Sequence, residues 1–445
     1  MKIKKPSLTT IGYFIFFSYC FFVDLFDAIV GQKACLAVWG VVLLLLVLGI
    51  KKITVNKNNV IVVIIISTLF LYNNKGLKNG NYMTTIKFFF LIAIVFFVMN
   101  SFDSYERIIK MITVFGLVHV LATYIFFIFP SLYNNMYNIW GYWPGGTRHG
   151  LTGYKAALSD QYSGNGIMIA ITYMALFAYV LTNSKIDLKK KKRASIALFI
   201  FAFFAVILTT KRAHLLFGVA AMLFVYYFCN PKQLKSKSFK IIIIIISFFL
   251  LLLPLIEENV PVIKESLERF EDVDEDSHMV SRYRFWFLAL QMFKNKPIFG
   301  NGWMSFRYEY FYNIYSGRAG AKMYMNAHNI YIQLLAEVGI VGIIVFALIV
   351  VYLLLSVFKM LWIYNQRTID EKRVLSPLYF SAMFLIFFLL YGITGNCLYD
   401  KTSPFFYVVC GIIMGYMDWY RKEQRLLEKN NTFRETLYGK KSVTS

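Results

Sequence analysis

Long apolar runs closed by charged or turn-rich breaks recur along this chain, near residues 9–29, 34–50, 59–73, 84–101, 111–130, 163–183, 194–210, 213–229, 240–256, 329–356, 378–397 and 404–420. Crossing the hydrocarbon core takes about 20 mostly apolar residues, and a helix does it because all its backbone bonds close within the segment. The pattern predicts an all-α integral membrane protein with about 12 transmembrane helices, the third run being short. Two intervening segments are long, 131–162 and 257–328; the rest of one side consists of short turns. The predicted organisation is residues 1–256 for helices one to nine, 257–328 for one long extracytoplasmic loop, 329–420 for helices ten to twelve, and 421–445 for a basic cytoplasmic tail. Within the loop, residues 281–303 carry Trp286, Leu288, Ala289, Met292 and Phe293 at spacings that coat one broad helix face, which predicts a helix on the outer interface.

Charge then sets the orientation. Basic clusters at 51–57, 184–193, 231–240, 357–377 and from Arg421 onward all fall on one side, which the positive-inside rule makes cytoplasmic, together with both termini. The net charge of +23 is thereby mostly topogenic, and implies a lipid bilayer and not a nucleic acid as partner. With 58% apolar and 16% charged residues, the composition excludes a disordered chain, and the five cysteines show no CxxC spacing and read as packing residues. The first run lacks a small-residue cleavage site and reads as a membrane span, not a signal peptide. Arginine departs from the topogenic pattern: seven of fourteen fall on the outer side, against eleven of thirty-three lysines. A guanidinium fork grips phosphate bidentately, so this bias points to an anion outside.

Four outer clusters could carry chemistry. LTTKRAHLLFG places Lys211 and Arg212 between two apolar helices with almost no loop, either as a turn snorkelling to the headgroups or as an anion site at the membrane surface. In SRYRFW, Arg282 and Trp286 share a helix face at i and i+4, with Arg284 beside them; interfacial anchoring is the alternative reading. In NAHNIYIQLLAEVGIVG, Asn329, Gln333 and Glu337 form a polar stripe running about two turns into the membrane, and His328 stands at the helix mouth, as a titratable base or as a plain capping residue. YNIWGYWPGGTRHGLTG combines Trp140, Tyr142 and Trp143 with Arg148 and His149, suited to a sugar groove or to an aromatic belt. His119 reads as a helix-packing group and His214 as a support for Arg212.

Together these stretches resemble the family of O-antigen ligases and Wzy-type polysaccharide polymerases. TTKRAH is similar to the family's Thr-x-(Ser/Lys)-Arg helix end. RYRFWFLALQMFKNKPIFGNGW is similar to its Arg-x3-Trp followed by Pro-x2-Gly-x-Gly, and AHNIYIQLLAEVGIVG to its His-Asn opening with Glu-x-Gly-x2-Gly. RHGLTGYKAALSDQYSGNG is a weaker match, lacking the Pro-Asn often found there. The resemblance implies transfer of a glycan from a polyprenyl diphosphate to an acceptor hydroxyl, inverting, at the outer leaflet of the bacterial cytoplasmic membrane. It implies no nucleotide sugar, no cofactor and no essential metal.

A departing diphosphate needs cations aimed at it, so Arg212 and Arg282 are the first candidates, with Lys211 and Arg284 as auxiliaries. Trp286, Glu337, Asn329 and Arg148 complete the expected substrate contacts. His328 is the candidate general base, oriented by Glu337 or a hydrogen-bonding neighbour, so a Gln there should cripple the enzyme without unfolding it. The expected activity is polymerisation of polyprenyl diphosphate-linked oligosaccharide repeat units, with a chain-length regulator or export proteins as further partners. A ligase moving a finished glycan to another acceptor is the nearest alternative, and a flippase of lipid-linked sugars the alternative of another class.

Overall fold

The computed structural model describes residues 7–50, 63, 67, 74–75, 82–140, 150–185, 189–229, 277–310, 325–367 and 375–438. Ten of the apolar runs coincide with described helices; the 240–256 run and nearly all of the 59–73 run lie outside the described residues. The first run is divided at Phe22 into α1 (Leu8–Phe21) and α2 (Val23–Val30), followed by α3 (Gln32–Gly49), α4 (Tyr82–Met99) and α5 (Tyr105–Ile128). Next come α6 (Pro130–Trp140), α7 (Tyr162–Lys185), α8 (Lys189–Leu208) and α9 (Arg212–Cys229). The described remainder comprises α10 (Ser277–Asn295), α11 (Ser305–Tyr310), α12 (Ile330–Asn365), α13 (Leu375–Tyr391) and α14 (Ser403–Tyr438). No strand occurs among the described residues.

Four described stretches, Phe102–Ile128, Tyr162–Asn183, Arg212–Cys229 and Ile330–Asn365, are helical, long and apolar enough to cross a membrane, and four further apolar helices are shorter. The chain is a multi-pass membrane protein. Helix α13 lies at its centre, buried along most of its length and packed against α5, α7, α9, α12 and α14. Small residues let the neighbours approach: Gly116 on α5 meets Thr172 on α7, and Gly218 on α9 meets the Tyr173 hydroxyl, which donates to the His214 carbonyl at 2.7 Å. His119 is fully buried as a packing group, with its ring nitrogens against Asn165 Oδ1 (3.1 Å) and the Phe21 carbonyl (2.9 Å), the latter at the break between α1 and α2.

Two elements run beyond their predicted spans. Helix α14 continues for 36 residues into the stretch expected as a tail, tied to the second residue after α12 by the Arg367–Glu423 ion pair. Helix α12 is also 36 residues long but breaks at Gly339, whose φ of 68° and ψ of −170° are non-helical. The break is stitched by the segment after α10. Asn301 and Gly302 N–H donate to the Ala336 and Glu337 carbonyls at 3.0 and 2.7 Å, and Ile340 and Val341 N–H donate to Pro297 and Ile298 at 2.9 and 3.2 Å.

This interlock explains the glycines. Gly300 and Gly339 both have positive φ, and a Cβ on either would run into the other segment's backbone, at Glu337 and Ile298 respectively. The Pro-x2-Gly-x-Gly and Glu-x-Gly stretches are therefore two halves of one junction. The predicted interfacial helix is α10, which packs on α12 through Phe285, Ala289 and Met292.

Candidate functional site

Helix ends and loops converge on one end of the bundle around a chamber of about 1670 Å³. Small-molecule pockets run about 300–1,000 Å³, so the chamber exceeds the usual size for a small ligand. Its walls come from α1 to α4, which contribute Tyr19, Val23, Trp39 and Lys87 among others, and from the α8–α9 turn, the start of α7, the inner face of α10, the strap before α12 and the 392–404 segment between α13 and α14.

Lys211, Arg212, Arg282 and His328 all line this chamber, and so does Arg307 on α11. The α8–α9 turn is tight: Thr209 and Thr210 N–H bond back to Val206 and Ile207, and Thr210 has a φ of 57°. A β-branched residue at positive φ is strained, and such strain concentrates at functional sites. Lys211 Nζ sits 5.8 Å from the Tyr162 ring centroid, also in the chamber wall.

His328 is likewise strained, with a φ of 54°, and is held from several sides. Its N–H donates to Asn396 Oδ1 at 3.0 Å, its Nδ1 lies 3.2 Å from Asn396 Nδ2, and Phe285 stacks on its ring. The strap around it is fixed by Trp286 Nε1 donating to the Ala327 carbonyl (3.0 Å) and by Ala327 N–H donating to Gln333 Oε1 (3.0 Å). Asn329 caps α12, accepting from Tyr331 and Ile332 N–H.

Other predicted contacts fall elsewhere. Trp286 and Asn329 shape the strap and do not line the chamber; Arg284, two residues from Arg282 and about 200° round the helix, is exposed and also outside it. Glu337 lies fully buried behind the wall, where it accepts from Met304 N–H (2.9 Å), Phe306 N–H (3.2 Å), Gln333 Nε2 (3.1 Å) and the Tyr399 hydroxyl. Its contacts hold the loop into α11 and do not reach His328, which Asn396 orients instead. Arg148, with Tyr142, Trp143 and His149, lies outside the described residues.

Sequence reasoning missed Arg307, Asn396 and an acid–lysine cluster. Asn396 and Lys401 sit in a short turn with no periodic signal, and Arg307 was one of several outer-loop arginines. Lys401 pairs with Asp24 and with Asp160 Oδ1 (2.9 Å), and Asp160 N–H donates to Asp24 Oδ2 (2.9 Å). Burial works against the Lys401 charge, but the two carboxylates outweigh it and leave its pKa raised. Burial raises the Asp160 pKa, opposed by Lys401 and reinforced by Asp24. Burial likewise raises the Asp400 pKa, against the donors at Thr402 and Tyr391.

A membrane-embedded bundle with cations, an imidazole and carboxylates around one chamber can hold an anionic ligand there. Residues 197–347, roughly a third of the chain, match the family model described as O-Antigen ligase. The matched segment, which is similar to that family, carries Lys211, Arg212, Arg282, His328 and Glu337. No curated protein matches the chain.

Proposed function

We propose that the protein is a polysaccharide polymerase that joins polyprenyl diphosphate-linked oligosaccharide repeat units at the outer leaflet of the bacterial cytoplasmic membrane. One observation carries the reading: Arg212, Arg282 and His328, from three separate elements, line a single chamber. A breaking glycosyl–diphosphate bond leaves negative charge on the diphosphate. Guanidinium groups fixed where that charge develops stabilise the transition state more than the ground state. Lys211 and Arg307 add to the same field, and Trp286, Asn329 and Glu337 hold the strap and loop that place His328 and Arg307. Arg148 is proposed as a further substrate contact. The bundle end carrying the chamber is read as extracytoplasmic because the basic clusters concentrate on the other side.

The ligase reading shares the donor end and differs only in the acceptor. The transport reading is disfavoured because the charged groups of the chamber gather at one bundle end, whereas a carrier lines a passage near the midplane. Purified protein given lipid-linked repeat units in detergent should build a ladder of lengthening glycans. A single transfer to a foreign acceptor with no ladder would support ligation, and no transfer from competent donor would support transport.

A further inference from the structure

We propose that His328 acts as a hydrogen-bond donor to the departing diphosphate through Nε2–H, and that the Asp160 carboxylate takes the acceptor's proton; both assignments rest on the transferase reading above.

Asn396 dictates the first assignment. A backbone N–H can only donate, so the His328 N–H at 3.0 Å fixes Oδ1 as the amide atom facing the main chain. The amide's NH2 group must then be the one 3.2 Å from His328 Nδ1. A hydrogen on Nδ1 would point at that donor, so Nδ1 accepts and the ring hydrogen sits on Nε2. The one lone pair with which a neutral imidazole could take a proton is occupied by Asn396. This departs from the general-base role expected from the sequence. The ring becomes a fixed donor, flanked on one side by Phe285 and aimed by a strained backbone, next to a leaving group that needs donors.

The acceptor's proton then needs another destination. Asp160 and Asp400 are the carboxylates lining the described chamber. Both oxygens of Asp400 are engaged, Oδ1 by Thr402 N–H and hydroxyl and Oδ2 by the Tyr391 hydroxyl. Asp160 is held by Lys401 at Oδ1 and also meets the Asp24 side chain, and with its side chain 32% exposed it is the carboxylate an acceptor reaches from the chamber. Lys401 keeps Asp24 as a second partner, so losing the Asp160 charge does not strand the lysine.

The step balances. The bond between the anomeric carbon and the diphosphate oxygen breaks, and its electron pair stays on the diphosphate, facing Arg212, Arg282 and His328 Nε2–H. An acceptor hydroxyl oxygen forms the new bond to that carbon. Its proton passes to Asp160, which releases it to water.

The test uses the full-length protein in detergent with a synthetic polyprenyl diphosphate-linked oligosaccharide as donor and acceptor. H328Q, which still offers a side-chain N–H, should transfer within about tenfold of wild type, whereas H328A should fall about 100-fold or more. D160N should lose about 100- to 10,000-fold in kcat with the donor KM unchanged, and D160E should recover part of it. H328Q as slow as H328A, or D160N at the wild-type rate, overturns the corresponding assignment. Nitrogen spectra of histidine-labelled wild-type protein, with His328 assigned by the signal lost in H328Q, give an independent readout: a hydrogen on Nε2 supports the donor role and one on Nδ1 overturns it. Wild-type protein that transfers nothing from competent donor overturns the transferase reading itself, and the proposal with it.

Discussion

Replacing Glu337 by Gln changes one oxygen to NH2 in a fully buried site where four donors converge on the carboxylate. If the amide group faces Met304, the Tyr399 oxygen can turn to accept from it, but the Met304 N–H is left facing a donor. If it faces Phe306, that N–H is orphaned, and rotating Gln333 to compensate strips the Ala327 N–H of its acceptor. Every arrangement leaves one buried donor unsatisfied, at about 1–3 kcal/mol, and weakens the bonds that remain, so a local cost of about 2–4 kcal/mol follows. Met304 is at a φ of 64°, so the loop has strain to release once its anchor weakens. Loosening the entry to α11 displaces Arg307, and loosening Gln333 frees the strap before His328. If the whole cost fell on the transition state, transfer would slow by about 30- to 1,000-fold, which sets the upper bound. Amide hydrogen exchange should accelerate at residues 302–306 while α13 stays protected, and kcat should fall. Wild-type exchange and a wild-type rate in E337Q would refute the reasoning.

Arg282→Ala should weaken donor binding and transfer at least tenfold while Arg284→Ala leaves both within about twofold, measured by donor titration, because a two-residue offset turns Arg284 away from the chamber. Gly339→Ala should destabilise the protein by at least about 1–3 kcal/mol, read as a lowered thermal unfolding midpoint, since it combines positive φ with a Cβ against the Ile298 carbonyl. Because burial raises the Asp160 pKa, its carboxylate protonates at a higher pH than an ordinary aspartate, so the acidic limb of kcat should sit above the usual carboxylate range and vanish in D160N. The groups facing it are Asp24 from α2 and Lys401 from the segment before α14, and K401Q should move that limb upward by removing the opposing cation.

The membrane imposes such a severe rule on backbone polar groups that ten of the apolar runs could be read as helices, although tertiary packing moved their ends and divided the first of them. Helix α12 shows where that rule stops. Its apolar run continues through Gly339, and a broken helix is tolerated there because the Pro297–Gly302 segment, far upstream in the chain, supplies the missing partners. Arg212, Arg282 and His328 were legible because each is a costly or distinctive group beside an apolar helix. The sequence cannot say which way a polar side chain faces, so Glu337 and Asn329 read as substrate contacts, although one anchors a loop and the other caps a helix. Arg284 carried its own warning in the two-residue offset from Arg282. Asn396, by contrast, gains meaning only from a histidine 68 residues away. Asp24 and Lys401 meet from opposite ends of the chain, a contact no local spacing announces.

The measurement that bears most directly on the central claim is the release of free polyprenyl diphosphate from a lipid-linked repeat unit by wild-type protein and by the Arg212→Ala/Arg282→Ala double variant, with insertion verified for both. Wild-type protein should release one polyprenyl diphosphate for each glycosidic bond formed, and the double variant should fall by about two orders of magnitude or more in release and elongation together. Equal release by the two proteins would contradict a cationic chamber that receives the departing diphosphate.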